Sequence, residues 1–218
     1  MSEFFRNPPE ASSLMEASRS FGNYDLAAAL ADIIDNSITA GASKIAINCQ
    51  YDEESSLISV SDNGTGMTRD ELINAMRPAS KNPLEERDVN DLGRFGLGLK
   101  TASFSQAREL TVISRKNNSI TAARWDLDNI ANWSMEIFSG VDAENLLVEN
   151  PVFKVTTEVI WRKLDRVTEN GNMAEDDFNR LMIFSADQLS LIFHRYLEKS
   201  RNPSKQNVQL FLNGAQLE

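Results

Sequence analysis

Residues 24–40, YDLAAALADIIDNSITA, read as one helix around which the rest of the chain is arranged. The stretch is rich in Ala and Leu, holds no Pro or Gly, and stops at Gly41. Leu26, Leu30, Ile33, Ile34 and Ile38 fall on one face at helical spacing, the side that should meet a core. Asp32 and Asn36 stand one turn apart on the opposite side, so a carboxylate and a carboxamide can reach one common point. Such a pair could hold a metal ion and a water between them. Taken alone, the plainer reading is a solvated polar face.

Working outward, residues 44–51 (KIAINCQY) alternate apolar and polar as a half-buried strand does, and residues 57–61 (LISVS) form a second strand. The acidic DEES between them predicts a hairpin turn. The second strand runs into Asp62-Asn63-Gly64-Thr65-Gly66-Met67, after which Thr68 and Glu71 form a capping box for a helix. Gly64 and Gly66 allow backbone angles with φ > 0 and let a planar ligand approach the main chain closely. Asp62, fixed at a strand end, would offer its carboxylate to an exocyclic amine. An ordinary strand-to-helix turn is the alternative.

Residues 78–91 are polar and aperiodic, a long loop of the kind that tends to serve as a lid. They lead into Leu92-Gly93-Arg94-Phe95-Gly96-Leu97-Gly98-Leu99-Lys100-Thr101. Backbone N–H groups in such a glycine run, feeding a helix N-terminus, make an anion site, and Lys100 adds positive charge. A P-loop is a poor match, because Leu99 intervenes before Lys100-Thr101 and no buried strand precedes the run. Strand-like runs follow at 110–115, 120–127, 133–138 and 157–164. Residues 165–177 read as exposed, 186–199 as a last helix and 208–212 as a closing strand, with a short helix near 11–20. Hairpin-linked strands with helices gathered apart predict an α+β two-layer sandwich.

The chain of 218 residues suits a single domain, and its formal net charge is −10 with no basic stripe. An acidic surface repels phosphate backbones, which argues against direct nucleic-acid binding. Cys49 is the single cysteine, no apolar segment has bilayer length, and MSEFFRNPPE is not a signal-peptide pattern. These features predict a soluble, cytoplasmic protein. His194 is the one histidine and reads as a packing residue, as do Cys49, Trp125, Trp133 and Trp161; one His and one Cys cannot build a zinc site.

The order of these stretches closely resembles the GHKL ATPases, the superfamily of gyrase B, the heat-shock chaperones, the sensor histidine kinases and MutL, with MORC proteins nearby. ADIIDNS (31–37) resembles their N-box, DNGTGM (62–67) their adenine box and GRFGLGLKTAS (93–103) their glycine-rich lid hinge. Ser80-Lys81 in RPASKN resembles the SK of the MutL-type lid. TTEVIWRKL (156–164) resembles a box usually written Gly-Thr, with Thr156 where glycine is expected. The likeness is strongest to the MutL-, MORC- and chaperone-like branch.

The resemblance implies a mixed, mostly antiparallel sheet of about eight strands covered on one face by helices, a Bergerat-type fold. It implies one domain over residues 1–218, with a core near 14–165 completed by a C-terminal helix and strand near 185–213. It implies ATP and Mg²⁺ as ligands. Asn36 would coordinate the ion, and Asp62 would accept the adenine amine with help from Thr157, while Gly64, Gly66 and Met67 shape the pocket. Gly93, Arg94, Phe95, Gly96, Leu97, Gly98, Leu99, Lys100 and Thr101 would surround the phosphates, with Ser80 and Lys81 from the lid. Asp32 and Lys100 would be catalytic, Asp32 orienting water where much of the family has Glu. The shorter side chain implies slow hydrolysis. The resemblance further implies a nucleotide-driven switch, a homodimer, and a transducer or effector domain following this N-terminal piece of a longer protein. Two alternatives stay open: a nucleotide-binding module without hydrolysis, and a histidine-kinase catalytic domain.

Overall fold

The computed structural model describes residues 3–5, 7, 9–20, 24–78, 98–148, 152–198 and 207–218. In chain order these form α1 (Ala11–Ser18), α2 (Leu26–Thr39), β1 (Lys44–Gln50), β2 (Leu57–Asp62), α3 (Arg69–Met76), α4 (Gly98–Gln106) and β3 (Glu109–Lys116). There follow β4 (Ser119–Asp126), β5 (Glu136–Ser139), α5 (Val141–Glu144), β6 (Thr157–Arg162), α6 (Glu175–Leu197), β7 (Gln209–Leu212) and β8 (Ala215–Gln216).

The strands make one sheet of eight in the order β5-β4-β3-β6-β2-β1-β7-β8. Every pairing is antiparallel except β1 with β7, so the sheet is mixed and mostly antiparallel, as predicted. Side chains alternate across it. Ile58, Val60, Val112, Val159 and Trp161 face the helices and share one core with Leu30, Ile33 and Phe178. On the other face Ile113, Ile120 and Ile160 meet Ala143 of α5, with Leu146 and Leu147 alongside, so α5 covers part of the second face as well.

The helix α2 lies deepest because its sequence allows nothing else. Asp25 caps it by accepting the Ala28 N–H, and Leu30, Ile33 and Ile34 are no more than 1% exposed. Truncating one of these to Ala would cost about 2–5 kcal/mol through the cavity left behind. The Thr68–Glu71 capping box starts α3 as predicted. Buried Arg19 donates Nε to the Phe104 carbonyl and pairs with Asp165, which fastens α1 to α4.

Some expectations change. The helix α6 begins at Glu175, not near 186, because Glu175, Asp176 and Asp177 suit the positive end of its dipole and Phe178 and Met182 extend the buried stripe backward. Val167 and Thr168 are buried within the segment predicted to be exposed. Trp133 lies before β5 in a turn with φ of 57° instead of in a strand. Among the described residues no helix is long and apolar enough to cross a membrane.

Candidate functional site

Sheet register sets three polar side chains in a row. Asp62 pairs with Thr157, and Thr157 with Ser114, on three adjacent strands about 4.8 Å apart. All three follow the parity of the apolar helix-facing residues, so the row is the polar end of an otherwise hydrophobic surface. Ser114 Oγ lies 3.0 Å from Thr157 Oγ1 and accepts the Met67 N–H at 2.8 Å. Ser37, from the last turn of α2, donates Oγ to Asp62 Oδ2 at 2.9 Å, and the Gly64 N–H donates to Oδ1 at 2.8 Å. Asp62 is 5% exposed. Burial pushes its carboxyl above the ordinary range, while the Gly64 and Ser37 donors pull it back.

The two glycines after β2 are needed for different reasons. Gly66 takes φ of +68°, and a Cβ there would collide with the Arg115 carbonyl oxygen and stand 2.9 Å from Thr156 Cγ2. Gly64, which could adopt that conformation, does not have a left-handed φ. It is constrained by space, since a Cβ would lie 2.8 Å from the Ala40 carbonyl oxygen at the end of α2. The Thr65 N–H donates to that same carbonyl at 3.0 Å. Thr156, standing where the resemblance expects glycine, thus turns its methyl toward the space that a Gly66 side chain would need.

The helix α2 carries the site away from the sheet. Asp32 lies five residues before Ser37, about 7.5 Å of helical rise. A Cβ at Gly98 would be 3.5 Å from Asp32 Oδ2, so the first turn of α4 faces that carboxylate. The same Oδ2 accepts the Tyr24 hydroxyl at 3.0 Å. Asn36 is exposed and donates Nδ2 to the Asp32 carbonyl at 2.8 Å, which leaves its carboxamide oxygen as the group offered to solvent. Asp35 is half-buried, and its carboxyl is raised by burial and then by the Asp32 charge.

Lys100 is 5% exposed and donates Nζ to the Ala75 carbonyl at 2.8 Å, near the end of α3, so it fastens α4 to α3. Leu99 and Thr101 are partly buried on α4. Ser80, Lys81, Gly93, Arg94, Phe95, Gly96 and Leu97 lie outside the described residues. Among those described, no three His, Cys, Asp or Glu side chains converge as a metal cluster. A cleft of about 600 Å³ lined by Tyr51, Asp52, Leu57 and Arg162 opens at the opposite ends of β2 and β6 and shares none of these residues.

Sequence reading missed Ser37, Ser114 and Tyr24. Ser37 is a polar residue inside an apolar helical stripe, and Ser114 continues the inward parity of Leu110 and Val112; both patterns were visible signals. Tyr24 reads in sequence as part of the helix, which starts instead at Leu26 after the capping Asp25, so helical spacing gives no sign of its contact with Asp32.

The fold and this arrangement define a class. The chain belongs to the histidine kinase-, DNA gyrase B- and HSP90-like ATPase family, whose sequence profile matches residues 24–155. Its relatives include the chaperone protein HtpG of Bordetella avium, 31% identical over 108 residues, which are 45% of this chain and 17% of that protein. HtpG of Natranaerobius thermophilus is 27% identical over 186 residues, 81% of this chain and 26% of the relative. HtpG of Rhizobium etli is 33% identical over 118 residues, 49% of this chain and 19% of the relative. The matches thus span about a quarter or less of those proteins.

Proposed function

We propose that this chain binds ATP and, with Mg²⁺, slowly hydrolyses it to ADP and phosphate, and that the nucleotide drives a conformational and dimerisation switch. One observation carries the reading. A buried carboxylate in a row of hydroxyls is joined through a single helix to a second carboxylate that faces a helix N-terminus, with an exposed carboxamide one turn further on. Each Asp62 oxygen already takes one donor and keeps a lone pair for another, which suits an exocyclic amine such as that of adenine. Thr157 would assist through water, and the turn that Gly64 and Gly66 let pack tightly, with Met67 after it, would shape the pocket for the flat base.

The amides at Gly98 and Leu99 suit phosphate oxygens, and Thr101 adds to the same helix end, which Lys100 holds against α3. The Asn36 oxygen is a hard donor that fits Mg²⁺, an ion that keeps most of its waters and needs few protein ligands. Bound there, Mg²⁺ would supply neutralisation of phosphate charge. Asp32 would orient a water and accept its proton. The roles of Ser80, Lys81, Arg94 and the loop glycines rest on the resemblance. Homodimerisation, a transducer or effector domain in the longer protein and a cytoplasmic setting belong to the same proposal. Family membership supports the first two, and the lone buried Cys49 supports the last.

Calorimetric titration with ATP, with and without Mg²⁺, tests the reading. Asn36→Ala should lose about tenfold in affinity only when Mg²⁺ is present. Asp32→Asn should bind ATP but release phosphate about a hundredfold more slowly. Absence of ATP binding would end the proposal. Undiminished release by Asp32→Asn would remove Asp32 from the mechanism.

A further inference from the structure

We propose that Tyr24 is a positioning residue for Asp32: its phenol holds one carboxylate oxygen beside the start of α4, leaving the other to address water. This rests on the reading of Asp32 as the water-orienting base.

An Asp side chain rotates broadly about its terminal torsion, and one shorter by a methylene than Glu reaches less far. A carboxylate that must meet one water therefore needs a second contact to fix its plane. Tyr24 supplies one. It lies just outside α2, preceding the capping Asp25, and its hydroxyl donates to Asp32 Oδ2 at 3.0 Å. The ring is partly buried against the core, which limits its rotamers.

The Tyr24 backbone is held as well. Its carbonyl accepts Gln106 Nε2 at 3.2 Å, and Gln106, the last residue of α4, is itself buried. Eight residues separate Tyr24 from Asp32 and eight separate Gln106 from Gly98, so α2 and α4 run antiparallel and close a ring. One end of the ring is Tyr24 with Gln106, and the other is Asp32 with Gly98. The hydroxyl crosses that ring to fix the carboxylate against the helix end proposed to take phosphate. Among the described residues, the charged groups facing it are Asp32 and, through Asp32, Asp35. Burial and then the Asp32 contact raise the phenol above its ordinary value of 10.0.

The test uses the whole chain with Tyr24→Phe, Asp32→Asn and the double variant. Tyr24→Phe should lower kcat about tenfold with KM for ATP within about twofold, since misplacing a reacting group is felt in turnover more than in binding. Added to Asp32→Asn, it should change nothing further, because it acts through that carboxylate. Absorbance titration of the phenols gives a readout without turnover. The Tyr24 midpoint, isolated by difference from Tyr24→Phe, should fall by about one pH unit in Asp32→Asn. Equal losses in both backgrounds, a change in KM alone, or an unmoved phenol would overturn the proposal. If Tyr24→Phe is silent while Asp32→Asn is inactive, only this proposal fails. If Asp32→Asn is fully active, or the wild type binds ATP without turnover, the underlying assignment falls with it.

Discussion

At the sheet end of the site Asp62 is buried and each of its oxygens takes a protein donor, whereas at the helix end Asn36 is exposed and Asp32 accepts one side-chain donor among the described residues. The first arrangement is fixed before any ligand arrives. Strand register, two close-packed glycines and the last turn of α2 all determine it, so little reorganisation remains to oppose binding. The second has spare acceptors and a helix N-terminus, groups that a polyanion and its cation would satisfy. On the proposed reading, recognition belongs to the rigid sheet and chemistry to the more exposed helix surfaces.

The contrast can be broken most severely at Gly66. Gly66→Ala puts a methyl into the Arg115 carbonyl and demands φ of +68° from alanine. It should cost about 3 kcal/mol or more, a fall of roughly 6–12 °C in melting temperature, and should abolish ATP binding. A melting curve within about 2 °C of wild type would mean that the sheet end is looser than described.

Asp62→Asn sharpens the comparison by separating folding from binding. ATP affinity should drop about a hundredfold while the melting temperature at pH 7 stays level or rises. The sign follows from burial. A carboxyl raised above 3.8 on folding stabilises most below that value and loses its contribution as pH climbs through the raised one. Asn does not titrate, so the variant's relative stability should improve from acid toward neutral pH. Thermal melts across that range check it, and a variant that weakens steadily with rising pH would contradict the burial argument.

The smallest effect lies beneath the helix end, where α3 receives Lys100. The Glu71 carboxyl is held down to about 2, first by the Thr68 N–H and then by Lys116. A depressed carboxyl contributes stability above its unfolded value of 4.5 and loses it as pH falls toward about 2. The melting difference between wild type and Glu71→Gln should therefore shrink over that window, with ATP affinity unaltered at neutral pH. A difference that does not vary with pH would sever the cap from the ion.

Much of the recognition end was legible in the sequence because its parts are local signals: a capped apolar helix, a strand ending in Asp62, and glycines placed where side chains would clash. What escaped was non-local. Ser37 meets Asp62 across 25 residues and Ser114 meets Thr157 across 43, and periodicity states which face a residue occupies but not what returns to cover it. Gly64 and Gly66 look alike in sequence although one answers a shortage of room and the other a backbone angle. The early start of α6 was hidden because three acidic residues read as solvent exposure as readily as a helix N-terminus.

The lone parallel pairing has a consequence for synthesis. No hairpin can deliver β7 to β1; the chain must come back from far downstream, as the bond from the Cys49 amide to Asn213, 164 residues later, records. On the ribosome the central strands can therefore associate while β1 still presents a bare rim of hydrogen-bonding groups. Through that interval the nascent molecule is open to sticking edge-to-edge with its neighbours, and its safety depends on translation speed and on cellular escorts more than on its own sheet.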